Sequence, residues 1–233
     1  MPLLFVIPSK PKVDMSGLNA LEHDNLSSTV YATLCDALIK GRFQPGDRLK
    51  IRDIADQLGT SVTPVRDAIL RLAHDEAIVF RSPRDIRIPR ISKDRYLEIR
   101  SIRLRLESLA AETAAQLASK EDIEGLERLL VGNEKALAEG DRLQGTAFNQ
   151  AFHFELPAIA KLPVLHGILR RIWLQMGPVI ADSYTAGGRS MIDYHYPVIE
   201  ALRRRDGQAA AAAIMNDITL GGQAILEHVQ AAA

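Results

Sequence analysis

Residues Ile54–Leu72 read IADQLGTSVTPVRDAILRL, and they hold two helical patterns separated by a break. Ile51, Ile54, Ala55 and Leu58 share one face of a short helix that Gly59 and Thr60 interrupt. From about Thr63 to Asp75 a second helix follows. Its Val65, Ala68, Ile69, Leu72 and Ala73 recur at i, i+3, i+4, i+7 and i+8, which buries one stripe and leaves the other face to solvent.

Working outward, the spacing predicts an earlier helix over 26–41. Ser27 or Ser28 can cap it, Val30, Leu34, Ala37 and Leu38 form its apolar face, and Gly41 ends it. Gln44-Pro45-Gly46-Asp47 is a turn. After Asp75 the period shortens. The β-like runs 77–80 and 86–89, around Ser82-Pro83-Arg84-Asp85, read as a hairpin. Helix, short helix, turn, helix and hairpin together give a winged helix-turn-helix over residues 26–91.

The chemistry on the outer face points to nucleic acid. A helix N-terminus following a tight turn offers free N–H groups and a dipole that favour phosphate. Ser61 and Thr63 put small hydroxyls there, suited to phosphate oxygens or base edges. Arg66 lies opposite the apolar stripe, where a guanidinium can meet guanine O6 and N7 in a major groove. Arg52 is a second candidate for base or phosphate. Arg48 either reaches phosphate or braces the fold. Arg84 at the hairpin tip, with Arg81 and Arg87 behind it, suits a wing along the backbone or minor groove. Taken one by one, exposed arginines are most often a solvated face; their combination in one module is the signal.

Over about 32 residues, GRFQPGDRL at 41–49 followed by Ile54–Leu72 resembles the GntR family of bacterial transcription regulators. The resemblance implies a DNA reader. Val62 departs from it, standing where the family often has an arginine, and the wing lacks the family's usual glycine.

Composition sets the outer bounds. The 29 Lys+Arg balance 29 Asp+Glu, which excludes a uniformly basic nucleic-acid coat but not a local basic face. The charge is unevenly spread: residues 26–91 carry 11 basic and eight acidic side chains, residues 92–233 carry 16 and 18. The single Cys35 excludes an internal disulfide and fits a reducing cytoplasm, with Cys35 itself a small core residue. No apolar run is expected to span a membrane, and aromatics at 5% are too few for a base-stacking platform. Residues 1–25 are expected to be a mobile tail rather than a signal peptide, with Met1 or Met15 as the start.

After Ser92 the chain reads as helices over 93–118, 121–139, 142–160, 163–184, 190–205 and 207–230, a six-helix, all-α bundle. Pro163 suits a first helical position; Pro157, Pro178 and Pro197 should kink these spans or shift their ends. The fold class is therefore mainly α. The stretches 99–107, 148–153 and 195–206 resemble the FCD effector domain of the FadR subgroup, in its shorter, VanR-type form.

That resemblance implies a cavity with a divalent metal, held by Asp-x-x-x-His on one helix and one His on each of two later helices. The matching positions are Asn149, His153, His195 and Asp217. Asn149 replaces the usual Asp, and Asp217 stands where a third His is expected, so a carboxylate has in effect moved. Two imidazoles, a carboxylate and a weaker amide oxygen suit zinc, nickel or manganese. His166 and His228 match no ligand position. Arg103 either faces an effector carboxylate or pairs with Glu107 one turn on.

The expected function is a cytoplasmic, homodimeric regulator, a repressor, that binds a near-palindromic double-stranded operator and a small organic acid, with no membrane partner and no enzymatic activity. Two alternatives stay open at this point: a metal- or ligand-binding protein with impaired DNA binding, and a metal-dependent hydrolase.

Overall fold

The computed structural model describes residues 25–232, so the expected tail and the choice between Met1 and Met15 lie outside the described residues. The N-terminal part is a winged helix. It comprises α1 (Asn25–Ile39), β1 (Arg48–Leu49), α2 (Ile51–Gln57), α3 (Val62–His74), β2 (Val79–Ser82) and β3 (Asp85–Arg87). Val65, Ala68, Ile69 and Leu72 of α3 are fully buried, as their period requires, and pack with Leu34, Leu38 and Ile86. The hairpin is one strand short of the observed sheet. β1 pairs antiparallel with β3, opposing Leu49 to Ile86, which gives the order β1-β3-β2. The helix expected from Ser27 or Ser28 already runs at Asn25, so both serines lie inside α1 and neither caps it. Gly41 ends the segment in the left-handed conformation, φ +65°, with its N–H on the Leu38 carbonyl.

The rest is a helical bundle: α4 (Lys93–Leu117), α5 (Lys120–Glu139), α6 (Arg142–Ile159), α7 (Pro163–Gly187), α8 (Ser190–Asp193), α9 (His195–Arg203), α10 (Gly207–Asn216) and α11 (Gln223–Ala231). Caps explain the starts. Ser92, Asp141 and Asp206 each accept the N–H three residues on, and Ser119 forms a reciprocal capping box with Asp122. Pro163 opens α7 as expected. Ala110, Ala111, Ala114 and Ala115 let α10 lie close along α4, its most extensive neighbour.

Two expected helices are divided. The span 190–205 breaks at Tyr194 into α8 and α9. The span 207–230 is interrupted by a π-turn at Asp217–Gly221, closed by the Gly222 N–H on the Asp217 carbonyl. Gly222 is required there, because a Cβ would stand 2.5 Å from the Ile218 carbonyl oxygen. One expectation from composition is corrected: Gly207–Ala231 is long and apolar enough, at a mean hydropathy of 1.2, to cross a membrane. Here it is a core element of the bundle, and its buried face carries a carboxylate, Asp217.

The winged helix is seated on the bundle through backbone. The end of α1 meets α7 where Gly177 and Ala181 offer no bulk. A Cβ on Gly177 would lie 2.2 Å from the Leu38 carbonyl oxygen. Beside this contact Asp75 takes hydrogen bonds from Tyr31 and Arg171, and Arg95 of α4 bridges to Glu76 at 2.6 Å.

Candidate metal centre and nucleic-acid interface

Three buried side chains from three elements converge inside the bundle. His153 comes from α6, His195 from the first position of α9, and Asp217 from the π-turn. Their donor atoms all lie within 4.8 Å of one another. His153 Nε2 stands 3.3 Å from Asp217 Oδ2, and His195 Nε2 stands 3.3 Å from Asp217 Oδ1. Neither nitrogen of His195, which is wholly buried, makes a hydrogen bond. A buried polar atom without a partner costs about 1–3 kcal/mol, and this ring carries two. Metal bonds of about 2.0–2.2 Å, at tetrahedral or octahedral angles, hold neighbouring donors roughly 3.0–3.5 Å apart. The two 3.3 Å separations from Asp217 fall within that range, so the three side chains could hold a metal ion.

The rings are held in place by apolar neighbours. Phe152 stacks on His195 at 4.1 Å between centroids, and Trp173 lies 5.3 Å from His153. Burial pushes the His195 imidazole well below its ordinary range, so it is the neutral ligand form. Burial likewise lifts the Asp217 carboxyl from 3.8 to about 6, only partly offset by His153 and Arg103. A buried carboxylate beside the neutral His195 ring is short of positive charge, which a divalent ion could supply. Asn149, one turn before His153, lines a small cavity with His153 and Asp217. That cavity measures about 20 Å³, room for one ion or water. The structure thus clusters His153, His195 and Asp217, and Asn149 shares a cavity with His153 and Asp217.

Arg103 makes the expected pair with Glu107 and also borders the cavity. Its Nε donates to Glu107 Oε1 at 2.6 Å, its guanidinium lies 4.7 Å over Trp173, and the same side chain lines the cavity. The other Glu107 oxygen stands 2.6 Å from His153 Nδ1. Burial alone would raise the Glu107 carboxyl, but Arg103 and His153 outweigh it and hold it at about 2. Sequence reasoning paired Glu107 only with Arg103. Its contact with His153 spans 46 residues and has no local signature. His228 pairs with Asp182 at 2.8 Å and His166 packs on Phe154, both away from the cluster.

On the winged helix, Arg48, Lys50, Arg52, Val62, Arg66 and Arg84 line one open groove of about 450 Å³ between α2, α3 and the wing. Ser61 is the N-cap residue of α3 without using its side chain, and both Ser61 and Thr63 are exposed beside the groove. Arg48 braces: its Nε donates to the Arg84 carbonyl at 3.0 Å and fixes the wing tip. Arg81 and Arg87 are drawn to Asp85, at 3.7 and 2.7 Å, and the unanticipated Lys50 pairs with Asp53 at 3.4 Å, which leaves Arg52, Arg66 and Arg84 as the cations lining the groove besides Arg48.

Family comparison agrees with this arrangement. A model described as bacterial regulatory proteins, gntR family, matches residues 26–88, and the FCD domain model matches residues 98–220, more than half the chain. The chain belongs to the GntR family. Among its relatives, the HTH-type transcriptional regulator McbR of Escherichia coli is 30% identical over 196 residues, covering 82% of this chain and 89% of McbR. The Uxu operon transcriptional regulator of the same organism is 25% identical, covering 85% and 86%. The solved structure of E. coli McbR/YncC superposes with a TM-score of 0.81 at 28% identity, over 91% of this chain and all of that one. A GntR regulator from Rhodococcus shares the fold, with a TM-score of 0.74 at 20% identity. This GntR protein is accordingly a transcriptional regulator with an FCD domain and not an enzyme, which removes the hydrolase alternative.

Proposed function

We propose that this regulator is a homodimeric repressor acting in the cytoplasm, with residues 26–91 as the DNA-binding domain and residues 92–233 as the effector-binding and dimerisation domain. His153, His195 and Asp217, with Asn149 as a weaker fourth ligand, hold a divalent zinc, nickel or manganese ion. The observation that carries the metal reading is His195, whose two ring nitrogens are buried without a hydrogen bond beside a carboxylate 3.3 Å away. Arg52, Arg66 and Arg84, with the hydroxyls of Ser61 and Thr63, contact double-stranded DNA, and Arg48 holds the wing in reach. A two-fold dimer reads a near-palindromic operator.

The effector is a small organic acid that meets the metal and Arg103. The cavity admits an ion but not an organic acid at about 20 Å³. Effector binding and displacement of the cavity wall therefore go together, which supplies the differential affinity a switch requires. Elemental analysis of the purified protein beside His153→Ala tests the reading, with operator binding measured with and without chelator. About one divalent metal per chain, lost in the variant, supports it. A wild type that holds no metal even after reconstitution overturns it.

A further inference from the structure

The ring of His153 lies between two carboxylates. Asp217 Oδ2 is 3.3 Å from Nε2 on the cavity side, and Glu107 Oε2 is 2.6 Å from Nδ1 on the other. As a metal ligand this imidazole would be neutral, with one N–H to give. If the proton sits on Nε2 it points at Asp217 and closes the metal position; if it sits on Nδ1 it satisfies Glu107 and leaves the Nε2 lone pair bare. The contact to Glu107 is the shorter by 0.7 Å and is a full hydrogen bond, whereas the separation from Asp217 is not. Glu107 is also the better-supported carboxylate. Its second oxygen takes Arg103 Nε at 2.6 Å, and only 1% of its surface is exposed.

We infer that Glu107 is a positioning residue for the metal centre: it takes the Nδ1 proton of His153, aims Nε2 at the metal, and ties that ligand to Arg103 on the cavity wall. This rests on the metal reading above and adds to it a residue outside the ligand set. Arg103 neutralises Glu107, so the ligand set keeps Asp217 as its single uncompensated carboxylate. An anion drawn to Arg103 competes with Glu107 for the same guanidinium and is thereby felt at His153, two hydrogen bonds away.

The test uses the full chain and two paired variants in which Arg103 is changed alike, so that no buried charge is left alone. Arg103→Met with Glu107→Leu removes the acceptor of the Nδ1 proton. Arg103→Met with Glu107→Gln keeps an acceptor of the same reach without the charge. The probe is Ni²⁺ alone, titrated against a chromophoric chelator, and the His153 ring ¹⁵N shifts are read in the metal-free protein. The Leu pair is expected to move the His153 proton from Nδ1 to Nε2 and to weaken Ni²⁺ binding about 10- to 100-fold, while the Gln pair recovers the Nδ1 proton and most of the affinity. A part that is only structural would lower the thermal midpoint of both metal-free variants and leave Ni²⁺ affinity unchanged in the folded protein. The inference is overturned by a wild-type proton on Nε2, or by a Leu pair that binds Ni²⁺ within two-fold of wild type. A wild type that binds no Ni²⁺ overturns the metal reading and this inference with it, and its own titration tells that case from the others.

Discussion

Replacing Asp217 by Asn should stabilise the metal-free protein and abolish its response to metal. In the fold, burial lifts the Asp217 carboxyl from 3.8 to about 6. At about 1.4 kcal/mol per tenfold in proton affinity, keeping this group ionised near neutral pH costs the metal-free native state about 3 kcal/mol. The native state binds the proton more tightly than the unfolded chain. The group's contribution is therefore fully present below pH 4 and is lost as pH rises through about 6. Asn keeps the shape, carries no charge, and offers its NH2 to one of the two imidazole nitrogens 3.3 Å away. Denaturant unfolding at pH 7.5 after chelation should therefore place the variant about 3 kcal/mol above wild type, with the gap closing toward pH 4. Metal at a hundred times its dissociation constant should then raise wild type by about 3 kcal/mol and leave the variant nearly unmoved. A metal-free variant less stable than wild type, or equal stabilisation of both by metal, refutes the argument that this carboxylate is kept for a cation.

Other consequences can be checked separately. Arg66→Ala should leave folding intact and weaken operator binding by about 1–3 kcal/mol, with relaxed discrimination at one base pair; unchanged affinity in a gel-shift titration removes Arg66 from base reading. Arg84→Ala should weaken specific and random DNA alike and lower the salt dependence by roughly one counterion, which binding at several salt concentrations measures. Gly177→Ala adds a methyl 2.2 Å from the Leu38 carbonyl oxygen. The gain in helix propensity of up to about 1 kcal/mol is outweighed by overpacking of about 1–3 kcal/mol, and net stabilisation in denaturant would show that the seat is loose.

The elements legible in the sequence are those with a period or a cap. The stripe of α3 and the starts at Ser92, Ser119, Asp141 and Asp206 are local and were readable residue by residue. What was hidden depends on partners far along the chain. β1 is two residues long, too short for any alternation, and exists because β3 is there to pair with it. The π-turn looks like continuous helix in composition, and only packing around Gly221 and Gly222 fixes it. The ligand positions followed from family resemblance, whereas the Glu107–His153 bond joins α4 to α6 and needed the fold to be seen.

The contact of Gly177 with the end of α1 bears on the operator as well as on the protein. A reading head on a slack tether tolerates half-sites at many separations. A head whose first helix abuts the bundle backbone to backbone has its bearing fixed by the bundle itself. One base pair added between half-sites turns one of them by roughly 35° about the duplex axis, and such a joint has no slack to follow it. In a dimer of this chain, helical phasing would be part of the recognised signal alongside the bases.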